Sequence, residues 1–185
     1  ISCKCRKFKG KSQLIPCVVR YGNVMSSRGS IIPLLIEKRN SKIIELTHKE
    51  MTRFNISLDQ AVQLVMHTIK NAKGGEIFVP KIPSYRLVDL AKAIAPNSKI
   101  KFTGIRPGEK LHEEMISFSE STNTVSHKKF YIILPSFRNY TIDQYIKKNG
   151  GKKITKGFMY RSDTNKEFLS INQIRKVLSG KLDNK

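Results

Sequence analysis

The chain has 185 residues, enough for one domain of ordinary size, and its 39% hydrophobic content supplies a packed core and excludes wholesale disorder. No apolar run approaches the roughly eighteen residues of a membrane span, and no signal-peptide layout opens the chain, so the cytoplasm is the expected compartment. Lys and Arg number 35 against 14 Asp and Glu, a net charge of +21 that attracts polyanions.

The lysines, however, are spread through nearly every segment, and no zinc finger, RNP1-type aromatic run or basic zipper accompanies them. A basic nucleic-acid-binding protein therefore stands as the alternative, behind a phosphorylated small ligand, which needs far fewer charges. Cys3, Cys5 and Cys17 form no framework, and Cys3-x-Cys5 lacks a second Cys/His pair at metal spacing, so no metal is expected. The chain opens at Ile1 in a basic stretch and reads as one entered partway through.

"LIPCVVRYGNV" (Leu14–Val24) reads as one buried strand running into a Gly-Asn turn. Ser30–Asn40 reads as a short helix with Pro33 in its first turn. "KIIELTH" and "TRFNI" are extended. The clearest helix starts at Ser57, with Gln60 in a capping-box position, and its apolar face comprises Leu58, Ala61, Val62, Val65, Met66 and Ile69. Gly74-Gly75 ends it. His67, on this helix, is expected to be an ordinary side chain.

"EIFVP" is a strand, and Ser84 is expected to cap a second amphipathic helix through Leu87, Leu90, Ala91 and Ile94, closed by Pro96. "KIKFTG" is the next strand and "GIRPGEK" (Gly104–Lys110) follows it directly. Glu109–Ile116 is expected to be helical and "KFYIILP" a strand. Beyond it lie a basic, glycine-punctuated linker, "IKKNGGKKITKG", and a short helix around Ile171–Leu178. Alternating strands and helices give an α/β class. No G-x-G-x-x-G follows a strand, and no P-loop, G-x-S-x-G or His-Glu-x-x-His appears.

Three loops place charge at strand ends, where ligands bind in open α/β sheets: Arg20–Val24 with Ser26–Ser30, Met51–Phe54, and Gly104–Lys110. An arginine suits a pyrophosphate because its planar fork donates two parallel, permanently charged hydrogen bonds. A carboxylate suits a vicinal diol because it accepts from both hydroxyls. Arg53, Arg106 and Glu109 are therefore candidates for a nucleotide diphosphate. The competing reading is a surface turn whose Glu109 favours a helix N-terminus.

"VVRYGNV…SRGS", "MTRF-x-IS-LD", "GGEIFVPKIPS", "DLAKAIAP" and "GIRPGEKLHE" occur in the order and spacing of one family. The chain resembles the C-terminal portion of the inverting UDP-N-acetylglucosamine 4,6-dehydratases (5-epimerases) of the extended short-chain dehydrogenase/reductase superfamily. The likeness is close over Pro16–Ile116 and looser beyond, where Tyr160, Ser162, Asn165 and Leu169 resemble the family's tail. It implies the last Rossmann strands within residues 1–30, a UDP-sugar subdomain with returning Rossmann elements over 31–135, and an extension over 136–185. It also implies NADP recycled within each turnover, a UDP-sugar as partner, a homo-oligomer at full length and a role in surface polysaccharide biosynthesis. In the implied chemistry, hydride is lent from the sugar to NADP, water is lost, and hydride returns with inversion.

Position by position, the resemblance implies that Tyr21 and Val24 line the nicotinamide end and Asn23 the sugar. Arg53 and Arg106 meet the diphosphate, and Glu109 meets the uridine ribose. Ser30 and Pro33 fall near the nucleotide. Two departures bear on substrate choice: Ser26 stands where the family usually has glycine, and Asn55 where it usually has an aromatic residue. The family's glycine-rich loop and Tyr-x-x-x-Lys pair are absent, so this chain alone is expected not to catalyse dehydration. A related NDP-sugar epimerase or a retaining dehydratase remains an alternative.

Overall fold

The computed structural model describes residues 15–25 and 30–182; Cys3, Cys5, Leu14 and Ser26 lie outside the described residues. In chain order the elements are β1 (Val18–Val19), β2 (Asn23–Val24), α1 (Ile31–Glu37), β3 (Ile43–Leu46), β4 (Thr52–Ile56) and α2 (Leu58–Asn71). Then come β5 (Ile77–Pro80), β6 (Ser84–Arg86), α3 (Leu87–Ile94), β7 (Lys99–Phe102), β8 (Glu114–Ile116), β9 (Thr124–Ser126) and β10 (Phe130–Ile133). The chain ends with α4 (Ile142–Asn149), β11 (Lys152–Lys153), β12 (Tyr160–Arg161) and α5 (Ile171–Leu182). The α/β class is as expected. No described helix is long and apolar enough to cross a membrane.

Two compact units form, each from segments distant in sequence. The first comprises Ile1–Tyr21, Asp59–Lys81 and Met115–Tyr160, the second Gly22–Leu58, Ile82–Glu114 and Arg161–Lys185. The first unit holds a five-stranded sheet in the order β1-β5-β10-β9-β11, with β1 parallel to β5 and the other pairs antiparallel. Leu64 of α2, Phe78, Val125, Ile132 and Leu134 of the sheet region and Tyr145 of α4 form its core. Arg20 and Glu120 make a two-pronged ion pair within this unit, at 2.9 and 3.0 Å. Burial pushes the Glu120 carboxyl up, but Arg20 and Ser117 outweigh it and hold the group below the ordinary carboxylate range.

The second unit holds the sheet β2-β4-β6, with β2 parallel and β6 antiparallel to β4, and the parallel pair β3-β7. Ile32 and Leu35 of α1, Ile44 and Leu46 of β3, Leu90 and Ile94 of α3, and Ile174 and Leu178 of α5 pack into one core. Burying an aliphatic side chain of this size stabilises by about 1.5–3 kcal/mol, which is what holds short strands and seven- or eight-residue helices in place.

The structure corrects five expectations. Leu14–Val24 is not one strand: β1 pairs with β5 while β2 pairs with β4. The break comes at Gly22, where a Cβ would lie 2.5 Å from the Cβ of Phe54, so the backbone crosses β4 at a distance only glycine allows. Ser84 does not cap a helix. It lies in β6, its N–H donates to Glu167 O and its carbonyl accepts from Leu169 N, and α3 starts at Leu87.

The expected helix over Glu109–Ile116 is a loop followed by β8. Its carbonyls at Lys110 and Leu111 are taken by the Arg53 guanidinium, at 2.9 and 3.1 Å, so they are unavailable to a helix ladder. The buried side of α2 is Ala61, Leu64 and Thr68. Of the expected apolar face only Ala61 is buried; Leu58, Val62, Met66 and Ile69 remain 66%, 53%, 49% and 67% exposed. Finally, the basic linker is shorter than expected, because its first residues belong to a helix. Ile142–Asn149 is helical, started by Thr141 and Gln144 in a reciprocal capping box, a T-x-x-Q signal present in the sequence.

Candidate functional site

The segment "GIRPGEK" forms a closed turn in the second unit. Pro107 and Gly108 occupy its centre, Gly108 has φ +80°, and Glu109 N–H donates to Arg106 O at 3.0 Å, the arrangement of a type II turn. The turn is also closed by side chains. Glu109 Oε2 accepts from Arg106 N–H at 3.2 Å, and Oε1 accepts from Thr47 Oγ1 at 3.2 Å. Glu109 is half-buried and Arg106 exposed. Each Glu109 oxygen keeps a further lone pair for a ligand hydroxyl.

A second group of polar residues lies on one face of β2-β4-β6. Arg53 is the cross-strand partner of Tyr85, and Asn23 that of Asn55. Arg53 and Asn55 are two apart on β4, so strand alternation points both to the same side. That face therefore carries Asn23, Arg53, Asn55 and Tyr85, while Phe54 points to the other, fully buried.

Arg53 is the hub. Its side chain is 14% exposed, and its terminal nitrogens donate to Thr52 O (2.7 Å), Leu111 O (3.1 Å) and Lys110 O (2.9 Å) and approach the Met51 sulfur (3.2 Å). Glu113 stands 3.9 Å from its Nε and accepts from Phe54 N–H at 2.8 Å. Burial raises the Glu113 carboxyl above its ordinary range, against the Phe54 hydrogen bond and the charges of Arg53 and Lys110. Burial, then the charge of Glu113, pushes the Tyr85 hydroxyl up to about 12, against Arg53 and a hydrogen bond with Asn23. At neutral pH Tyr85 is therefore a neutral phenol.

Behind this face a hydroxyl network ties the loop after the turn to the tail. Thr52 Oγ1 lies 2.8 Å from His112 Nδ1 and 2.7 Å from Ser162 Oγ, and Ser162 Oγ accepts from Glu113 N–H at 2.9 Å. Arg161 grips Asp163 with two bonds, and Asp163 lies 3.9 Å from His112 Nε2. Asn165 Nδ2 donates to Ile82 O and to Ser84 Oγ at 2.9 and 3.0 Å. Ser162 and Asn165, two of the tail positions singled out in the sequence, thus anchor the tail to β4 and β6.

Asn23, Arg53, Arg106 and Glu109 all fall in the second unit, where Arg53 joins the sheet face to the segment after the turn. Val24 pairs with Ile56 in β2-β4. Tyr21 falls in the first unit and is 41% exposed. Sequence reading missed Thr52, Tyr85, His112 and Glu113. Tyr85 and Thr52 carried no local signal, because cross-strand register alone makes them neighbours of Arg53. Glu113 was hidden by its assignment to a helix. Among the described residues no group of three or more His, Cys, Asp or Glu side chains is placed to hold a metal.

Residues 1–135 match the family described as polysaccharide biosynthesis protein. The chain is 41% identical over 168 residues to the UDP-N-acetylglucosamine 4,6-dehydratase (inverting) of Campylobacter jejuni, covering 88% of this chain and 50% of that protein. It is 33% identical over 177 residues to a UDP-glucose 4-epimerase of Rickettsia conorii, covering 93% and 51%. Among solved structures, Pen from Bacillus thuringiensis matches with a TM-score of 0.75 at 33% identity, over 94% of this chain and 52% of that one. The chain spans about half the length of these relatives.

Proposed function

The chain belongs to the polysaccharide biosynthesis protein family, and on that premise we propose that its second unit binds a UDP-sugar for a sugar-nucleotide 4,6-dehydratase of the inverting type. The observation that carries this reading is the polar face Asn23-Arg53-Asn55-Tyr85, joined through Arg53 to the segment that follows the Arg106–Glu109 turn. Arg106, exposed and permanently charged, meets the diphosphate. Glu109 accepts from the ribose hydroxyls with the lone pairs its own turn leaves free. Arg53 adds charge at the same place, while its donors hold the Lys110 and Leu111 carbonyls and so keep the loop in position. Tyr85 and Asn23 face the sugar.

NADP is the cofactor this reading implies, and when bound it supplies the hydride acceptor and donor. Tyr21 offers an exposed ring, but the chain has no glycine-rich phosphate cradle and no Tyr-x-x-x-Lys pair. These residues by themselves do not build a dinucleotide site. The chain alone binds substrate and does not turn it over.

The reading is tested by calorimetric titration of the chain with UDP and with UDP-N-acetylglucosamine. Binding that weakens about tenfold or more in Arg106→Ala and in Glu109→Ala supports it, since a lost charge-assisted hydrogen bond is worth about 1.5–3 kcal/mol. Absence of binding to either ligand, together with DNA affinity falling steeply on a log-log salt plot, sinks it in favour of a nucleic-acid binder. A 4-keto product formed by this chain with NADP and UDP-N-acetylglucosamine contradicts the division of labour.

A further inference from the structure

Asn55 stands out on the polar face because its hydrogen bonding is incomplete. It is 7% exposed, its backbone N–H donates to Pro83 O at 2.9 Å, and its side-chain oxygen has no hydrogen-bond partner among the described residues. The rest of the face is satisfied: Arg53 is spent on three carbonyls, and Tyr85 is bonded to Asn23. A buried acceptor left without a donor destabilises a protein, and such groups are rare in folded chains. An apolar side chain in the same place would avoid that cost. One orphan acceptor within an otherwise complete polar face marks a place where a donor arrives from outside.

We propose that Asn55 is a specificity-determining residue of the UDP-sugar site, its side-chain oxygen accepting a hydrogen bond from a hydroxyl or acetamido N–H of the sugar ring. The inference rests on the reading of the site as a UDP-sugar site. Two arguments select the sugar over the rest of the ligand. Phosphate oxygens are acceptors and have nothing to donate to a carbonyl oxygen. Asn55 also lies about 7 Å along β4 from Arg53, the residue that touches the loop assigned to the nucleotide end, and it is paired with Asn23 rather than with that loop. The donor therefore comes from the part of the ligand beyond the diphosphate.

The test is calorimetric titration of the full chain, wild type and Asn55→Leu, with UDP-N-acetylglucosamine and separately with UDP, alongside ligand-free thermal unfolding. Asn55→Leu is expected to raise the ligand-free melting temperature, because the orphan acceptor is gone. It is expected to weaken UDP-N-acetylglucosamine about tenfold and to leave UDP within twofold. Should the leucine variant fail to fold, Asn55→Thr, β-branched and suited to a strand but too short to reach the same point, carries the same comparison. Equal affinity of wild type and variant for UDP-N-acetylglucosamine overturns the inference alone, as does an equal loss for UDP. A wild type that binds neither ligand overturns the UDP-sugar reading itself and this inference with it.

Discussion

The Gly104–Lys110 turn and the β2-β4-β6 face hold similar side chains under opposite conditions. In the turn, Arg106 is exposed and Glu109 is half-buried, and Glu109 bonds both within the turn and to the distant Thr47. On the sheet face, Arg53 and Glu113 are largely buried and reach each other from segments about sixty positions apart in the chain. An exposed charge is solvated whether or not the protein folds, so its removal leaves stability nearly unchanged. A buried charge without its partners costs several kcal/mol, so the same residue type becomes part of the fold. The difference separates two jobs that an arginine list from the sequence treats as one.

The contrast can be broken most decisively at Arg53. Arg53→Ala strands the Lys110 carbonyl and removes the buried cation beside Glu113, and is expected to lower unfolding free energy by about 3 kcal/mol in urea titrations. A loss below about 1 kcal/mol would mean that the buried face does not organise the loop. Next in size is Gly22→Ala, where the new methyl meets Phe54 and the backbone must shift, at an expected cost of about 2 kcal/mol by the same measurement.

Glu113→Gln sharpens the comparison through pH. Glu113 has a folded pKa raised above its unfolded value, so the folded state holds the proton longer than the unfolded one. Its contribution is therefore greatest below about pH 4.3 and declines as pH rises from there through the folded pKa. The glutamine variant is expected to flatten that decline in melting temperature. An unchanged pH profile would show that Glu113 is not the titrating group. The smallest effect is expected at Arg106→Ala, within about 0.5 kcal/mol of wild type in stability, even though the same change is expected to weaken UDP binding.

Much of the turn was legible without coordinates. Pro107-Gly108 specifies a type II turn because proline presets φ and glycine supplies the positive φ that follows. Strand positions at "KIIEL", "TRFNI", "EIFVP" and "KIKF" were readable from β-branched content, and α1 from Pro33 in its first turn. The polar face was not readable as a face. Arg53 and Asn55 share a side by alternation, but Tyr85 and Asn23 join them only through register, which no local pattern encodes. The α2 stripe shows the converse: periodicity identified an amphipathic helix correctly and named the wrong side as buried. Ala61, Leu64 and Thr68 face the core, whereas Leu58, Val62 and Ile69 stay exposed.

The sequence by itself thus determined the α/β class, most of the short elements, the turn that presents Arg106 and Glu109, and the family, because each depends on neighbours within a few positions or on motifs in order. Only the tertiary structure decided that Lys110 and Leu111 leave the helical path, that Arg53 is wired to backbone carbonyls, that Thr52, His112 and Ser162 form one network, and that Asn55 is buried with an acceptor to spare. Those outcomes depend on which distant groups compete for the same hydrogen bonds once water is excluded. That competition is settled by packing, after local preferences have done what they can.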